Sequence, residues 1–398
     1  MHVASVYDAL RMYMSESELR AYLAAVQIMR VAPQLSPDAR RDAVRHWFVC
    51  FALVPERCIQ PRQLLDFSTL SSETFRAYFR FNRHHIAELR VALGIPDTFT
   101  TGERSIHGDI ALLMLLRRLA SPQRHIDLED EFGCSTTTTS DVTLRLIEFL
   151  HDRWKRLLFS CNFCFLPARL RDYARAIADK IYVISGVRWP LEILWQIIAF
   201  VDGSFYETDR PSDEFVGQDL QASAYSGYEK AHGMRFHHLL FPCGIIGHVS
   251  LFIAGRQNDA ALWIASGYVL YNACVLTSLR VEELLRRKLL GLYRVLTDMG
   301  YGRGDFVAKP VRTPNLQRDI VFNQLLASIR IPIEWSFGRV NQLWGGIAAM
   351  RKIRETPIAK WYHIAVLLTN CYTCMYGSAC SDYYGVLPPL LSEYLVPE

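Results

Sequence analysis

The chain has 398 residues, 51% hydrophobic and 12% aromatic, enough to bury a large core and unlike the polar composition of a disordered chain. Its formal net charge of +4 permits contact with nucleic acid without requiring it. Residues 1–25 lack the basic start and pure apolar block of a secretory signal, and no run reaches the roughly 18 apolar residues of a membrane helix, so a soluble, intracellular protein with no membrane contact is expected.

Residues 1–95 read as a helical accessory region. Apolar residues recur at helical spacing over residues 6–31, and Ser36-Pro37 and Ser71-Ser72-Glu73 mark helix starts. No chemistry is evident there. Residues 96–160 are more informative. The stretch ERSIHGDIALLMLLRRLAS predicts an amphipathic helix. A short helix (HIDLEDEF), a Gly133-Cys134 turn and a longer helix capped by Ser135 follow. This is a helix-turn-helix pattern whose second helix offers Thr136 to Thr139 and Arg145 to DNA, the hydroxyls to phosphates and Arg145 to a phosphate or a guanine edge. Thr136, Thr138 and Arg145 are the candidate contacts; an ordinary helical hairpin fits the same pattern. Residues 161–194 form a connecting helix between Pro167 and Pro190.

From residue 195 the texture changes to strands. IIAFVD is the first, ending on Asp202; MRFHHLLFP is the second, closed by a Pro242-Cys243-Gly244 turn; IIGHVSLFIAG is the third. A helical insertion follows at about 259–290, and then a fourth strand, LYRVLTD, ends on Asp298. Residues 321–344 return to helix, which Pro332 starts or kinks and Gly345-Gly346 stops. Glu334 lies on that helix. A C-terminal helix and tail occupy 347–398. The expected fold is α+β: a ribonuclease-H-like mixed sheet with flanking helices over 195–346, preceded by an all-helical N-terminal region with the helix-turn-helix.

Three acids placed in this way suit phosphodiester chemistry. Two divalent ions about 3.5–4 Å apart activate the attacking oxygen and stabilise the departing one. Magnesium is hard, takes oxygen ligands, keeps several waters and needs few protein ligands. Adjacent strands bring two carboxylates together and a helix on the sheet brings a third. Each acid also has a plainer reading: Asp202 and Asp298 as turn formers, and Glu334 as the helical partner of Arg330, four residues back.

The motifs resemble the PIF/Harbinger superfamily of transposases with a DDE endonuclease domain, in its eukaryotic form. FVDGSF is similar to the family's "DGT" strand, with Ser204 in place of threonine. AYSGYEKAHGMRFHHLLFPCGIIGHVSLFIAGRQND is similar to its Tyr-Ser-Gly-Tyr, Lys-x-His, Pro-x-Gly and Gly-Arg-x-x-Asp run. LTDMGYG is similar to "GDxGY", with Thr297 for the usual glycine. FNQLLASIRIPIEWSFGRVNQLW is similar to the "FN…R…VE…FG…W" helix, with an unusual Pro332, and NCYTCMYG…PPLLSEYL to the C-terminal end. The resemblance spans about residues 75–398.

It implies that Asp202, Asp298 and Glu334 are the metal-binding catalytic triad of a nuclear DNA endonuclease and strand transferase using Mg²⁺ or Mn²⁺, two ions in all. It further implies double-stranded DNA (terminal repeats and a target site) as substrate, a Myb-like DNA-binding partner and a homo-oligomer on DNA. The other reading is a domesticated, transposase-derived DNA-binding protein without cleavage. Asp259 reads as a helix cap or a support to the site, and Asp305 as part of a glycine-rich stretch. Lys230, His232 and Arg339 are candidate DNA contacts, and Arg330, Arg339, Lys352 and Arg354 form a basic rim that would neutralise phosphates; a solvated helix face and a structural His232 fit the same residues. His237 and His238 point to opposite faces of a strand and cannot share one site. Of the 10 cysteines, the pairs Cys161/Cys164 and Cys371/Cys374 have ligand-like spacing. Reduced structural thiols are nevertheless the expectation over zinc.

Overall fold

The computed structural model describes residues 57–58, 67, 69–102, 104–159, 161–187, 196–211, 219–258, 261, 293–301, 307–351 and 357–396. Most of the accessory region before residue 67, the insertion at 259–290 with Asp259, and Asp305, Lys352 and Arg354 lie outside them.

In chain order the strands are β1 (Arg57–Cys58), β2 (Thr98–Thr101), β3 (Arg104–His107), β4 (Ile197–Glu207), β5 (Tyr225–Ser226), β6 (Ala231–Leu240), β7 (Ile246–Val249), β8 (Ile253–Ala254), β9 (Arg294–Leu296) and β10 (Val307–Ala308). The helices are α1 (Ser72–Phe79), α2 (His85–Leu93), α3 (Gly108–Ala120), α4 (His125–Phe132), α5 (Thr136–Phe159), α6 (Pro167–Ser185), α7 (Asp219–Ala224), α8 (Gln317–Leu343), α9 (Ile358–Tyr376), α10 (Ala379–Tyr384) and α11 (Leu391–Tyr394).

Two expectations about the N-terminal half change. The predicted helix from Glu103 begins only at Gly108. Residues Arg104–His107 are a strand, paired antiparallel to β2 from Thr98↔His107 to Thr101↔Arg104. The alternating burial of Thr98–Thr101 is the two-residue period of a strand, so the N-terminal half is not all helical. His107 then caps α3, its Nδ1 accepting from the Asp109 amide at 3.3 Å. The short helix and the long one occur where predicted. Gly133 joins them at φ 63°, a left-handed turn that favours glycine. Ser135 Oγ accepts from the Thr138 amide at 3.3 Å.

The main sheet has seven strands in the order β10-β9-β4-β6-β5, with β7 and β8 also paired to β6. β4, β9 and β10 run parallel; β6 is antiparallel to β4, β7 and β8. This mixed α+β arrangement is consistent with a ribonuclease-H-like sheet. The β9–β10 pair emerges from a stretch read from sequence as strand followed by irregular chain. β4 is longer than expected and runs past Asp202 to Glu207. Proline does not interrupt α8. It continues through a buried Pro332, whose missing N–H costs one helical hydrogen bond, and ends at Leu343, just before Trp344 and the glycine pair.

The N-terminal helices pack onto this unit through shared core contacts. Phe81 stacks on Trp344 with centroids 6.4 Å apart, while among the N-terminal helices themselves the indole N–H of buried Trp154 donates to the Leu93 carbonyl at 3.0 Å. Arg80 donates to the Leu343 carbonyl at 2.8 Å and the Ala120 carbonyl at 3.0 Å, tying the ends of α3 and α8 together. At the same seam a Cβ on Gly346 would lie 2.2 Å from the Arg118 carbonyl oxygen and 2.8 Å from that of Leu119. Backbone cannot yield as a flexible side chain does, so Gly346→Ala is expected to destabilise the protein by about 2 kcal/mol or more. A lowered thermal midpoint at unchanged secondary-structure content is the readout.

On α9, fully buried Asn370 accepts from the Ile246 amide at 2.9 Å and donates to the Ile246 carbonyl at 2.9 Å and to Tyr394 Oη at 2.8 Å. It thus clamps β7 and α11 to one helix. Asn370→Ala leaves buried polar groups unsatisfied, and a loss of about 3–5 kcal/mol is expected in urea unfolding. Cys134, Cys161, Cys164, Cys243, Cys371 and Cys380 are buried free thiols, and Cys374 is a half-buried one. Cys164 contacts Cys161 and Cys243, and burial, with those neighbouring thiols, raises its pKa well above the ordinary value, which keeps the thiol protonated.

Candidate active site

Asp202 sits where the sheet narrows. The parallel ladder between β4 and β9 ends at Phe200↔Leu296, while the antiparallel ladder with β6 continues from Phe200↔Leu240 to Glu207↔Gly233. The acid is therefore in mid-strand rather than at a strand end, two residues past the last β4–β9 pair. Its side chain is 19% exposed, and Oδ1 accepts from the Gly203 amide at 3.0 Å. Asp298 lies beyond the β4–β9 ladder, two residues after Leu296, as Asp202 lies two residues after Phe200. The amide of buried Thr297 donates to the Ala308 carbonyl at 3.0 Å, so pairing with β10 holds the chain up to the residue before the acid. Asp298 Oδ1 then accepts from the Gly300 amide at 2.9 Å.

The third acid comes from α8. That helix buries Ile329, Ile333, Ser336 and Val340 and leaves Glu334 65% exposed. One turn before it, Arg330 Nη1 lies 3.0 Å from Asp202 Oδ2, and Nη2 lies 3.9 Å from Glu334 Oε1. The sequence read Arg330 as the helical partner of Glu334 and as part of a basic rim. The reach of Arg330 to Asp202 was not legible, because it depends on how α8 docks across β4. The four-residue spacing was the signal available.

That docking is fixed by His238, the cross-strand partner of Asp202. His238 Nδ1 is 3.3 Å from Ser336 Oγ, and Nε2 is 3.1 Å from Tyr362 Oη. The ring stacks on Phe337 with centroids 4.3 Å apart. Complete burial, then neighbouring His248 and His363, holds its pKa well below the ordinary value, so it is a neutral packing residue. His237 lies near His248, with centroids 5.4 Å apart, consistent with strand alternation.

Among the described residues, no group of three or more His, Cys, Asp or Glu side chains is arranged to hold a metal ion. Asp202 and Glu334 instead converge on the guanidinium of Arg330. That guanidinium is a cation that both carboxylates face, through different nitrogens. Carboxylate oxygens are the donors that a hard divalent ion takes, and Asp202 and Glu334 both face the place that the guanidinium holds. Asp202, Asp298 and Glu334 are the residues expected from the sequence to hold such an ion.

The candidate DNA contacts fall into two groups. Arg145 is exposed, 3.4 Å from Asp141 one turn away. Lys230 is exposed at φ 55° in the β5–β6 turn, beside Tyr228, which is 88% exposed. His232 is half-buried against Tyr225, with centroids 5.2 Å apart. Arg339 is half-buried, donating to Gln342 Oε1 at 3.1 Å and lying 4.7 Å over the Tyr372 ring. The threonines are less available. Thr138 is 3% exposed, and its hydroxyl is engaged by Arg104 and by Ser135. It is therefore corrected from a DNA contact to a residue that ties α5 to β3. Thr139 is likewise buried and bonded to the Ser135 carbonyl. Thr136 is half-buried, its amide donating to Glu129 Oε2 at 3.1 Å, whereas Thr137 is exposed.

Residues 201–370 match the family model described as DDE superfamily endonuclease. The match opens one residue before Asp202 and takes in Asp298 and Glu334. It supports a DDE-type, transposase-like nuclease domain, a class whose substrate is DNA and which generally uses divalent metals. No curated protein and no solved structure gives a significant match.

Proposed function

We propose that the protein is a metal-dependent DNA endonuclease and strand transferase of the PIF/Harbinger type, with Asp202, Asp298 and Glu334 as its catalytic carboxylates. The observation that supports this is the approach of Arg330 on α8 to both Asp202 and Glu334, which brings the helix of the third acid across β4, within a match to the endonuclease family that also takes in Asp298. Bound Mg²⁺ or Mn²⁺, as a pair of ions, would supply an activated oxygen nucleophile and charge neutralisation at the phosphate.

The chain's own residues do the positioning. Pairing with β6 and β10 fixes the backbones that carry Asp202 and Asp298, so ordering those carboxylates costs little at the moment of binding. Glu334, on the exposed side of α8, can rotate to close the set. Arg145, Lys230 and Arg339 would meet phosphates and make binding salt-dependent. The substrates are double-stranded terminal repeats and a target site, the assembly is a homo-oligomer on DNA aided by a Myb-like partner, and the setting is the nucleus.

The test combines Mn²⁺ calorimetry with nicking of supercoiled plasmid by the full chain, with Asp298→Asn beside the parent protein. Saturable binding and Mn²⁺-dependent nicking, both weakened in the variant, are expected. Duplex DNA binding with neither metal binding nor nicking would favour the domesticated DNA-binding reading.

A further inference from the structure

The proposed site contains a cation that belongs to the chain. Arg330 Nη1 is 3.0 Å from Asp202 Oδ2, and Nη2 is 3.9 Å from Glu334 Oε1. The guanidinium is mostly buried, with 23% of the side chain exposed, and Asp202 is similarly enclosed at 19%. Nη1 makes no aligned hydrogen bond. The contact with Asp202 is thus a charge contact, without the directional fork that makes arginine–carboxylate pairs hard to break. Glu334 is held at still longer range and from a mostly exposed position.

We propose that Arg330 is an internal counter-ion, occupying the position between Asp202 and Glu334 while the site is metal-free and yielding it when a divalent ion enters. This rests on the assignment of those acids as metal ligands. Two physical arguments support the exchange. A divalent ion and a guanidinium cannot both lie against the same Asp202 and Glu334 oxygens, because ligation takes those lone pairs and the two cations would repel. The guanidinium also has somewhere to go. It projects from α8 on a long, flexible stem, and its planar fork can donate two parallel hydrogen bonds to the oxygens of a phosphate. Arg330 would thus disfavour metal in the free protein and favour it once DNA supplies phosphates, so that full metal loading follows substrate.

The measurement is Mn²⁺ affinity of the full-length protein by calorimetry, without DNA and with a 30-base-pair duplex, for the parent protein and for Arg330→Gln, Arg330→Lys and Asp202→Asn. Arg330→Gln removes the competing charge and is expected to tighten Mn²⁺ binding without DNA about tenfold. The affinity gain that DNA produces in the parent protein is expected to shrink in that variant. Arg330→Lys keeps a charge but presents one ammonium instead of a two-pronged fork, so about threefold tightening is expected. It decides the matter if circular dichroism shows that the glutamine variant does not fold. Unchanged or weaker Mn²⁺ binding in the folded Arg330 variants overturns the counter-ion. Asp202→Asn separates the two ideas: if it binds Mn²⁺ as well as the parent protein, the metal-site assignment itself fails.

Discussion

Asp202→Asn is expected to lower the rate of DNA cleavage by a factor on the order of 10³–10⁴, and Asp202→Asn/Glu334→Gln together to lower it little further. Groups that act as one unit are strongly non-additive, since removing the first already disables the set. The substitution is nearly isosteric. Asparagine can still accept from the Gly203 amide through its carbonyl oxygen, and the ladder of β4 with β6 does not involve the side chain. What disappears is a negative charge facing Arg330. Both side chains are mostly enclosed, so leaving Arg330 unpaired is expected to cost on the order of 1–3 kcal/mol, and the unfolding midpoint should fall moderately while activity collapses. Single-turnover nicking of plasmid DNA and urea unfolding of the same preparations check both halves. Cleavage within tenfold of the parent protein would remove Asp202 from the catalytic set.

The elements that carry the acids were legible because their sequence signals are local. Ile197 to Val201 is an unbroken apolar run, and all five residues are buried, as a strand covered on both faces requires. Glycine and proline marked the turn at Pro242–Gly244, which the structure places between β6 and β7. The parts that were not legible depend on partners distant in sequence. β10 has two residues and exists because it pairs with β9, so nothing in its own composition announces it. The extension of β4 through Gly203 and Ser204 is held by β6, against a glycine that locally reads as a stop. Pro332 reads as a helix breaker, yet packing of Ile329, Ile333 and Ser336 on either side of it outweighs one lost hydrogen bond. The same limit applies at the site. The sequence could place Arg330 one turn from Glu334, but only the docking of α8 across β4 brings it to Asp202.

Acidification should unfold this protein steeply, and the buried histidines give the reason. His151 Nε2 lies 3.3 Å from His363 Nδ1 in a stacked pair, with centroids 5.5 Å apart. His363 Nε2 is 3.3 Å from the Ser250 carbonyl, and His248 Nδ1 is 2.7 Å from the Phe159 carbonyl. These contacts join α5, α9 and the β7 edge. Burial lowers the pKa of His151 to about 4, with Lys360 adding to the effect. It lowers that of His248 to about 4, and that of His363 to about 3, with His151 adding. His237 and His238 are also held well below the ordinary value, mainly by burial.

The sign follows from linkage. In the unfolded chain these residues take up protons near pH 6.5, while in the folded protein they resist until pH 4 or below, so between those limits the unfolded state binds more protons. Stability is complete above about pH 6.5 and falls as pH drops through that window, by about 1.4 kcal/mol per unit of pH for each histidine. The three with defined values together contribute a slope of about 4 kcal/mol per unit, against a total stability of about 5–15 kcal/mol for an ordinary domain. Urea midpoints at pH 7.5, 6.5, 5.5 and 4.5 are expected to be flat over the first interval and to fall sharply over the next two. His363→Gln, which removes one of the three groups and relieves its partner His151, should make the acid limb shallower even if it lowers stability at pH 7.5. A midpoint that stays level to pH 5 would mean that these histidines become protonated in the folded state, and that the α5–α9 contact opens without unfolding the chain.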